Sequence, residues 1–105
     1  MVITDLNDCM RFVPKDDIVY ATSDGRNSQL YCFSGVINAR LSISSFIEQA
    51  GEKFIPIHRC YAINLEHITY LKPYCVGMAD GSEIPVPSKR YSEIKQKLTE
   101  LVTSK

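Results

Sequence analysis

Short apolar stretches rich in β-branched and aromatic residues dominate the first third of the chain, and this pattern is typical of strands. Residues 10–13, 17–23 and 29–37 have it. A turn-like insert at 14–16 separates the first two stretches, and a polar run at 24–28 with Gly and Asn separates the next two. The pattern predicts three strands here, with the polar run as an exposed hairpin tip.

Two stretches have helical spacing instead. Between 42 and 51 the apolar residues Ile43, Phe46, Ile47 and Ala50 recur at i, i+3, i+4 and i+7. Serines precede them and a glycine follows, as expected for helix caps. A second helix is predicted over 88–102, with Ser88 as its N-cap after a proline.

The second half of the chain is otherwise extended. Residues 55–64 contain two short extended pieces joined near His58 and Arg59. Further strands are predicted at 68–72, 75–79 and 83–86, and an Asp-Gly pair supplies the turn before the last one. The fold class predicted from the pattern is mainly β, or α+β by content, with one short and one C-terminal helix.

Length and composition point to one packed domain. The chain has 105 residues, of which 45% are hydrophobic and 23% charged, without internal repeats or a low-complexity linker. It contains no long apolar stretch. Its N-terminus is acidic and lacks the basic segment followed by an apolar segment that is typical of a leader peptide. We therefore expect a cytoplasmic protein that does not insert into a membrane.

Charge is balanced over the whole chain but not along it. Twelve Lys and Arg oppose twelve Asp and Glu. Residues 1–52 hold seven acids and four bases, a net charge of −3, whereas residues 53–105 hold five acids and eight bases, a net charge of +3. An anionic partner would have to bind a local patch, mainly in the second half.

Three polar turns could form such a patch. They combine the side chains that bind phosphates and guanine edges. Taken alone, each is more simply interpreted as a solvated turn, but the three together with the charge split favour a nucleic-acid contact. Their residues are Gly25, Arg26, Asn27 and Ser28; His58 and Arg59; and Ser88, Lys89 and Arg90.

Catalytic and metal chemistry have little support in the sequence. His58 and Cys60 share one face of an extended piece, but no third group orients them, so we predict that the protein is not an enzyme. The four cysteines and two histidines lack a metal-binding spacing, and no phosphate-binding glycine loop occurs. We expect no metal and no cofactor, and we expect the cysteines to be reduced and mostly buried.

One segment resembles a known family. Residues 54–68, FIPIHRCYAINLEHI, resemble the F-x-R-I-H-R-S-Y-x-V-N-x-x-x-I core of the LytTR DNA-binding domain. Residues 80–86, DGSEIPV, resemble its D-G-x-x-[IL]-P-V hairpin, while 17–21 and 41–51 look like its second strand and first helix. The resemblance covers 10–102, which leaves 1–9 as a lead-in and 10–105 as a single domain.

The resemblance implies a function and a set of contacts. LytTR domains are elongated antiparallel β modules of bacterial transcription regulators, and they place loops in successive major grooves of repeated DNA half-sites. It implies double-stranded DNA as the partner, a homodimer on repeated half-sites, and a receiver domain or partner regulator in a two-component system. The DNA-contacting residues it implies here are Arg26, Asn27, Ser28, Arg59, Ser88, Lys89 and Arg90.

The chain departs from the family pattern at three positions: Pro56 and Ser88 stand where the family usually has arginine, and Cys60 stands where it usually has serine. His58 and Asn64 lie in the signature, and we expect both to be structural, with the Asn side chain closing the following turn.

The alternative function is a protein-interaction module that uses an exposed strand edge at 55–59.

Overall fold

The computed structural model describes residues 1–103, and these form three antiparallel sheets and two helices. The first half contains β1 (Val2–Thr4), β2 (Met10–Phe12), β3 (Ile18–Asp24), β4 (Asn27–Cys32), β5 (Gly35–Ala39) and α1 (Ile43–Ala50). The second half contains β6 (Phe54–His58), β7 (Tyr61–Asn64), β8 (Ile68–Lys72), β9 (Cys75–Met78), β10 (Glu83–Pro85) and α2 (Ser88–Thr103). Single 3-10 turns at Lys15–Asp17 and Leu65–His67 precede β3 and β8.

The central five-stranded sheet has the order β5-β4-β3-β7-β6. Its antiparallel pairing confirms the predicted class, but the predicted single strand at 29–37 is wrong. The chain turns after β4 because the Phe33 N–H donates to the Asp17 carbonyl at 2.9 Å and Ser34 Oγ donates to the Asp17 carboxylate. Gly35 then has φ 142°, a value that residues with a Cβ rarely adopt.

The lead-in contains a strand that the sequence analysis did not predict. β1 pairs with β2 in antiparallel register, Ile3 opposite Arg11, and we call this pair the ribbon. The Val13 N–H donates to the Met1 carbonyl at 2.8 Å, and Asp5 bridges to Ala39 of β5. Ile3 is 1% exposed, so the ribbon contributes to the core of the domain.

The central sheet has a hydrophobic cluster on each face, because successive strand residues point to opposite sides. One cluster includes Leu30 and Phe54 with Phe46 and Ala50 of α1 and Ile3 of the ribbon. The other contains residues of the central sheet, of the three-stranded sheet β10-β9-β8 and of α2; its buried members include Val19, Ile55, Ile57, Ile63, Val76, Ile84 and Ile94. The central sheet is therefore covered on both sides.

The helices form largely where the pattern predicts them. The Ser42 side chain caps α1 by accepting the Ser45 N–H at 3.1 Å, and Gly51 ends it with φ 95°. Ser88 is the first residue of α2 and not the N-cap, because the Pro87 carbonyl already accepts the Arg90 N–H at 2.9 Å. Within residues 1–103, neither helix combines the length and apolarity needed to cross a membrane.

All four cysteines have free thiols, but the expectation that most are buried is wrong. Cys32 is buried, and burial raises the pKa of its thiol to about 11. Cys60 and Cys75 are partly exposed, and Cys9 is exposed in the loop of the ribbon. Cysteine is hydrophobic enough for core positions, but the strand ends and loops on which three of them lie leave them near the surface.

Candidate nucleic-acid interface

The β3–β4 hairpin carries the first group of predicted contact residues. Asp24 pairs with Asn27, so the turn consists of Gly25 and Arg26 alone, and Gly25 has φ 61°. Arg26 is exposed at the tip, and Asn27 is half-buried as the first residue of β4. Ser28 is only 1% exposed and its hydroxyl has no partner among the described residues, so its side chain faces the interior of the domain.

A polar network across the strands braces this hairpin. The Tyr31 hydroxyl donates to Gln29 Oε1 at 3.1 Å, and Gln29 Nε2 donates to Asn38 Oδ1 of β5 at 3.2 Å. The Tyr31 ring stacks on Tyr20 of β3, with ring centroids 4.4 Å apart. Cross-strand aromatic and amide pairs of this kind stabilise a hairpin, so Arg26 extends from a firm support.

Arg59 and Cys60 form the turn between β6 and β7, which carries the second group. His58 Nδ1 accepts the backbone N–H of Cys60 at 3.2 Å, and the ring of His58 meets the ring of Tyr61 edge-on at 4.8 Å. His58 is half-buried, whereas Arg59 is exposed. In this geometry the histidine fixes the shape of the turn, because its Nδ1 is bonded to the backbone of Cys60.

These two turns lie at the same end of the central sheet, which we call the turn end (Gly25, Arg26, Arg59 and Cys60). β3 pairs with β7, and just beyond their last pair the Ser23 N–H donates to the Cys60 carbonyl at 2.9 Å. Only Asp24 separates Ser23, which makes this bond, from the β3–β4 turn. The structure brings together two groups that lie more than 30 residues apart in the sequence.

The third group lies at the start of α2, beside the three-stranded sheet. Ser88 and Lys89 are exposed in the first turn of the helix. Arg90 is directed along the helix, with its Nε 3.0 Å from Oε2 of Glu93. The Val86 N–H donates to the Tyr74 carbonyl at 2.9 Å, which fixes the start of α2 next to the turn between β8 and β9.

The cations of these groups differ in their pairing. Within residues 1–103, Arg26, Arg59 and Lys89 form no ion pair, whereas Arg90 is bound to Glu93. The described cations outside the three groups that do form ion pairs are Arg11, Arg40, Lys53, Lys72 and Lys97. Within the three groups, three exposed positive charges are thus left for an anionic ligand.

Asn64 of the signature has the structural role that the sequence analysis predicts. Its Oδ1 accepts the Glu66 N–H at 3.0 Å, and its Nδ2 donates to the Ile18 carbonyl at 2.9 Å. The buried side chain therefore closes the turn after β7 and ties that turn to the beginning of β3.

No cluster of three metal-ligating side chains occurs within residues 1–103.

Comparison with known families assigns the chain. The model of the LytTr DNA-binding domain matches residues 8–99. The chain belongs to the LytTR family of DNA-binding domains. LytTR domains of this kind are non-catalytic modules of transcription regulators, and this membership supports DNA binding by this domain.

A solved structure has the same fold as this LytTR domain. It is the LytTr DNA-binding domain of a protein described as a methyl-accepting/DNA response regulator from Bacillus cereus. The two chains superpose with a TM-score of 0.76 over 94% of each, at 20% sequence identity, which establishes a common fold. Comparison with curated protein sequences gave no match.

The contacts that shape the turn end of this LytTR domain were not predicted from the sequence. In one of them the Cys60 N–H donates to the side chain of His58, two residues earlier. A histidine just before a turn between strands is only a weak sequence signal for such a bond. The bond between Ser23 and Cys60 has no sequence signal, because it joins β3 to a turn that is distant in the chain.

Proposed function

We propose that this LytTR domain binds double-stranded DNA sequence-specifically as part of a bacterial transcription regulator, through the turn end and the first turn of α2. The observation that carries this proposal is the hydrogen bond between the Ser23 N–H and the Cys60 carbonyl, because it keeps the two turns together. Arg26 and Arg59 then offer two exposed guanidinium groups at one end of the sheet. Guanidinium groups suit both phosphates and the O6/N7 edge of guanine.

The shape of each segment suggests where it binds. A two-stranded hairpin fits into a major groove, so the β3–β4 hairpin and the β6–β7 turn enter one groove. The first turn of α2 enters the next groove, where the helix N-terminus and Lys89 favour phosphate. The proposed contact residues are Arg26, Asn27, Arg59, Ser88, Lys89 and Arg90; Ser28 is left out because its side chain is buried.

Two copies are needed for firm binding. With a formal net charge of zero, the domain relies on a few local cations, and a module with few phosphate contacts binds one site weakly. Two domains on repeated half-sites gain affinity from proximity. A receiver domain, on the same chain or on a partner regulator, brings the copies together; the Bacillus cereus protein of similar fold is itself described as a response regulator.

Selection of binding sites from a random duplex pool, at low and moderate salt, tests the proposal. We expect enrichment of a repeated half-site and its loss with Arg59→Ala, whereas Arg40→Ala, which removes an arginine already paired with Asp8, retains it. If one domain makes about three phosphate contacts, log K falls against log salt with a slope of roughly −3, and two domains double it. A protein that is folded by circular dichroism and enriches no site contradicts the proposal.

The interaction-module alternative depends on the outer edge of β6. The Leu65 N–H donates to the Lys53 carbonyl across the β6–β7 pair, so by alternation Phe54 and Pro56 direct their backbone groups outwards. The Phe54 N–H is already bonded to the Gly51 carbonyl at 3.2 Å, and proline has no N–H. This edge offers a partner strand few donors, which favours DNA binding over strand addition at 55–59.

A further inference from the structure

The turn between β8 and β9 has a sequence that does not suit its backbone. Lys72 pairs with Cys75, so Pro73 and Tyr74 form a two-residue turn, and Tyr74 has φ 66°. Proline is common at the first central position of such a turn, but the second position, with positive φ, normally carries glycine or asparagine. A bulky residue in this conformation is strained and therefore calls for a reason.

Packing within the domain does not supply that reason. Tyr74 is 63% exposed, and its side chain has no partner within residues 1–103. Tyr70 on the same hairpin provides the contrast. Its ring covers the Cα of Gly77, where an added Cβ would lie 2.1 Å from the ring, and its hydroxyl donates to Glu83.

The position of Tyr74 is fixed relative to the proposed interface. Its carbonyl accepts the Val86 N–H at 2.9 Å, and Val86 is anchored in the core at 2% exposure. Ser88 and Lys89 follow only two and three residues later, in the first turn of α2. The strained, exposed tyrosine therefore borders the segment that we assign to the second DNA groove.

We propose that Tyr74 is a further DNA-contacting residue, whose hydroxyl donates a hydrogen bond to a backbone phosphate beside the one that Lys89 neutralises. Tyrosine hydroxyls are among the groups that proteins use on DNA phosphates. A contact made only in the complex explains why a strained side chain without internal partners among residues 1–103 occupies this position. The inference rests on the proposed function.

Four single variants measured against a random-sequence duplex at low salt test the inference, because a phosphate contact does not require the correct base sequence. Fluorescence anisotropy should show that Tyr74→Phe weakens binding about tenfold through loss of one hydrogen bond to a charged group. Tyr70→Phe also removes one hydroxyl from the same hairpin, but that hydroxyl is already bonded to Glu83, so the affinity should be unchanged. Arg59→Ala and Lys89→Ala report on the proposed function itself.

The salt dependence separates the tyrosine from the cations. Lys89→Ala should reduce the slope of log K against log salt by about 1, whereas Tyr74→Phe should shift the whole line without changing its slope. Tyr74→Asn should raise the Tm, because asparagine tolerates positive φ, and should weaken DNA binding at the same time. A purely structural role for Tyr74 predicts no loss of affinity in this more stable variant.

The outcomes distinguish the two proposals. Weaker binding by Tyr74→Phe and Tyr74→Asn, with Tyr70→Phe unchanged, supports the inference. Unchanged binding by the two Tyr74 variants, while Arg59→Ala and Lys89→Ala bind more weakly, overturns the tyrosine contact and leaves the proposed function standing. If Arg59→Ala and Lys89→Ala also bind like the wild type, both proposals fail, and Tyr74 becomes a candidate contact for a protein partner.

Discussion

The ribbon and the turn end both carry arginines, but the ribbon neutralises those nearest to it and the turn end does not. Arg11 lies 3.0 Å from Asp5, and Arg40, at the start of the loop before α1, lies 2.6 Å from Asp8. Arg26 and Arg59 form no ion pair within residues 1–103. The two regions therefore differ in local charge: acids and bases cancel in pairs near the ribbon, whereas two arginines stay unpaired at the turn end.

The difference matters because a paired cation contributes to the fold, whereas an unpaired cation is available to a ligand. Asp5 accepts the N–H groups of Asn7 and Cys9 and the Nε of Arg11, so it organises the loop between β1 and β2. An arginine held in this way contributes to the fold and is a poor ligand for a second anion. An exposed, unpaired arginine adds little to stability, but its charge-assisted hydrogen bonds remain available to phosphate.

The largest expected effect tests the structural side of the comparison. Ile3→Ala should lower the free energy of unfolding by about 2–5 kcal/mol, because it leaves a cavity where the ribbon meets the core. DNA affinity of the folded fraction should not change. Denaturant unfolding and anisotropy titration on the same sample measure both quantities, and a loss of affinity in fully folded protein would place the ribbon in the interface.

A smaller effect tests the binding side. Arg26→Ala should weaken binding to the selected duplex by about 1–3 kcal/mol, the range for loss of a good base contact, without altering the Tm. Arg40→Ala should leave the affinity unchanged, because its partner Asp8 already uses its charge. Ser28→Ala controls for changes within the hairpin, since its buried hydroxyl has no partner within residues 1–103 to lose. Equal losses for Arg26→Ala and Arg40→Ala would remove the distinction between the two regions.

Acid should weaken the ribbon through protonation of Asp5. The backbone hydrogen bond from Cys9 lowers the pKa of Asp5 below its usual 3.8, and Arg11 acts in the same direction. Because the folded state favours the carboxylate, this stabilisation is complete above pH 3.8 and is lost as the pH falls through 3.8 and then through the lowered pKa. Tm against pH should therefore fall more steeply below pH 3.8 for the wild type than for Asp5→Asn.

Asp8→Asn provides the control for that measurement, since Asp8 is an exposed surface partner of Arg40. Its Tm should fall with decreasing pH as steeply as the Tm of the wild type. If Asp5→Asn also follows the wild type, the carboxylate of Asp5 does not contribute to the stability of the ribbon.

The smallest expected effect concerns the ion pair between Arg90 and Glu93 in α2. Arg90 belongs to the proposed interface but is bound to Glu93, as an arginine of the ribbon is bound to its acid. Glu93→Gln should release it and tighten DNA binding by a few tenths of a kcal/mol up to about 1 kcal/mol, the range for an exposed ion pair. Titration at low salt measures this gain, and weaker binding by the variant would show that Glu93 orients Arg90 for DNA.

Much of the fold follows from local sequence signals. The amphipathic spacing with Ser42 and Gly51 at its ends located α1, and the Asp-Gly pair located the β9–β10 turn. The segment 29–37 was misjudged because its apolar run continues through the turn, and the contacts with Asp17 that bend it come from outside the segment. β1 was missed for a related reason, since three residues become a strand only when β2 and β5 lie beside them.

The candidate site, like the fold, could be predicted from the sequence only in part. Composition and motif were enough to select Arg26, Arg59 and Lys89, because residue type and turn chemistry are local properties. Removal of Ser28 from the contacts required the structure, because the side of a strand on which a residue lies depends on register. The restraint of Arg90 by Glu93 and the addition of Tyr74 required it as well, since both depend on what surrounds a side chain.

By itself, the sequence determined the class of elements, the family resemblance and the presence of three polar, basic turns, because periodicity, turn residues and charge are written along the chain. Only the tertiary structure decided which cations remain unpaired and which turns meet. These properties depend on antiparallel pairing between β3 and β7 and on ion pairs formed at a distance. Contacts between residues far apart in the chain are selected by the packing of the whole core, so no local pattern encodes them.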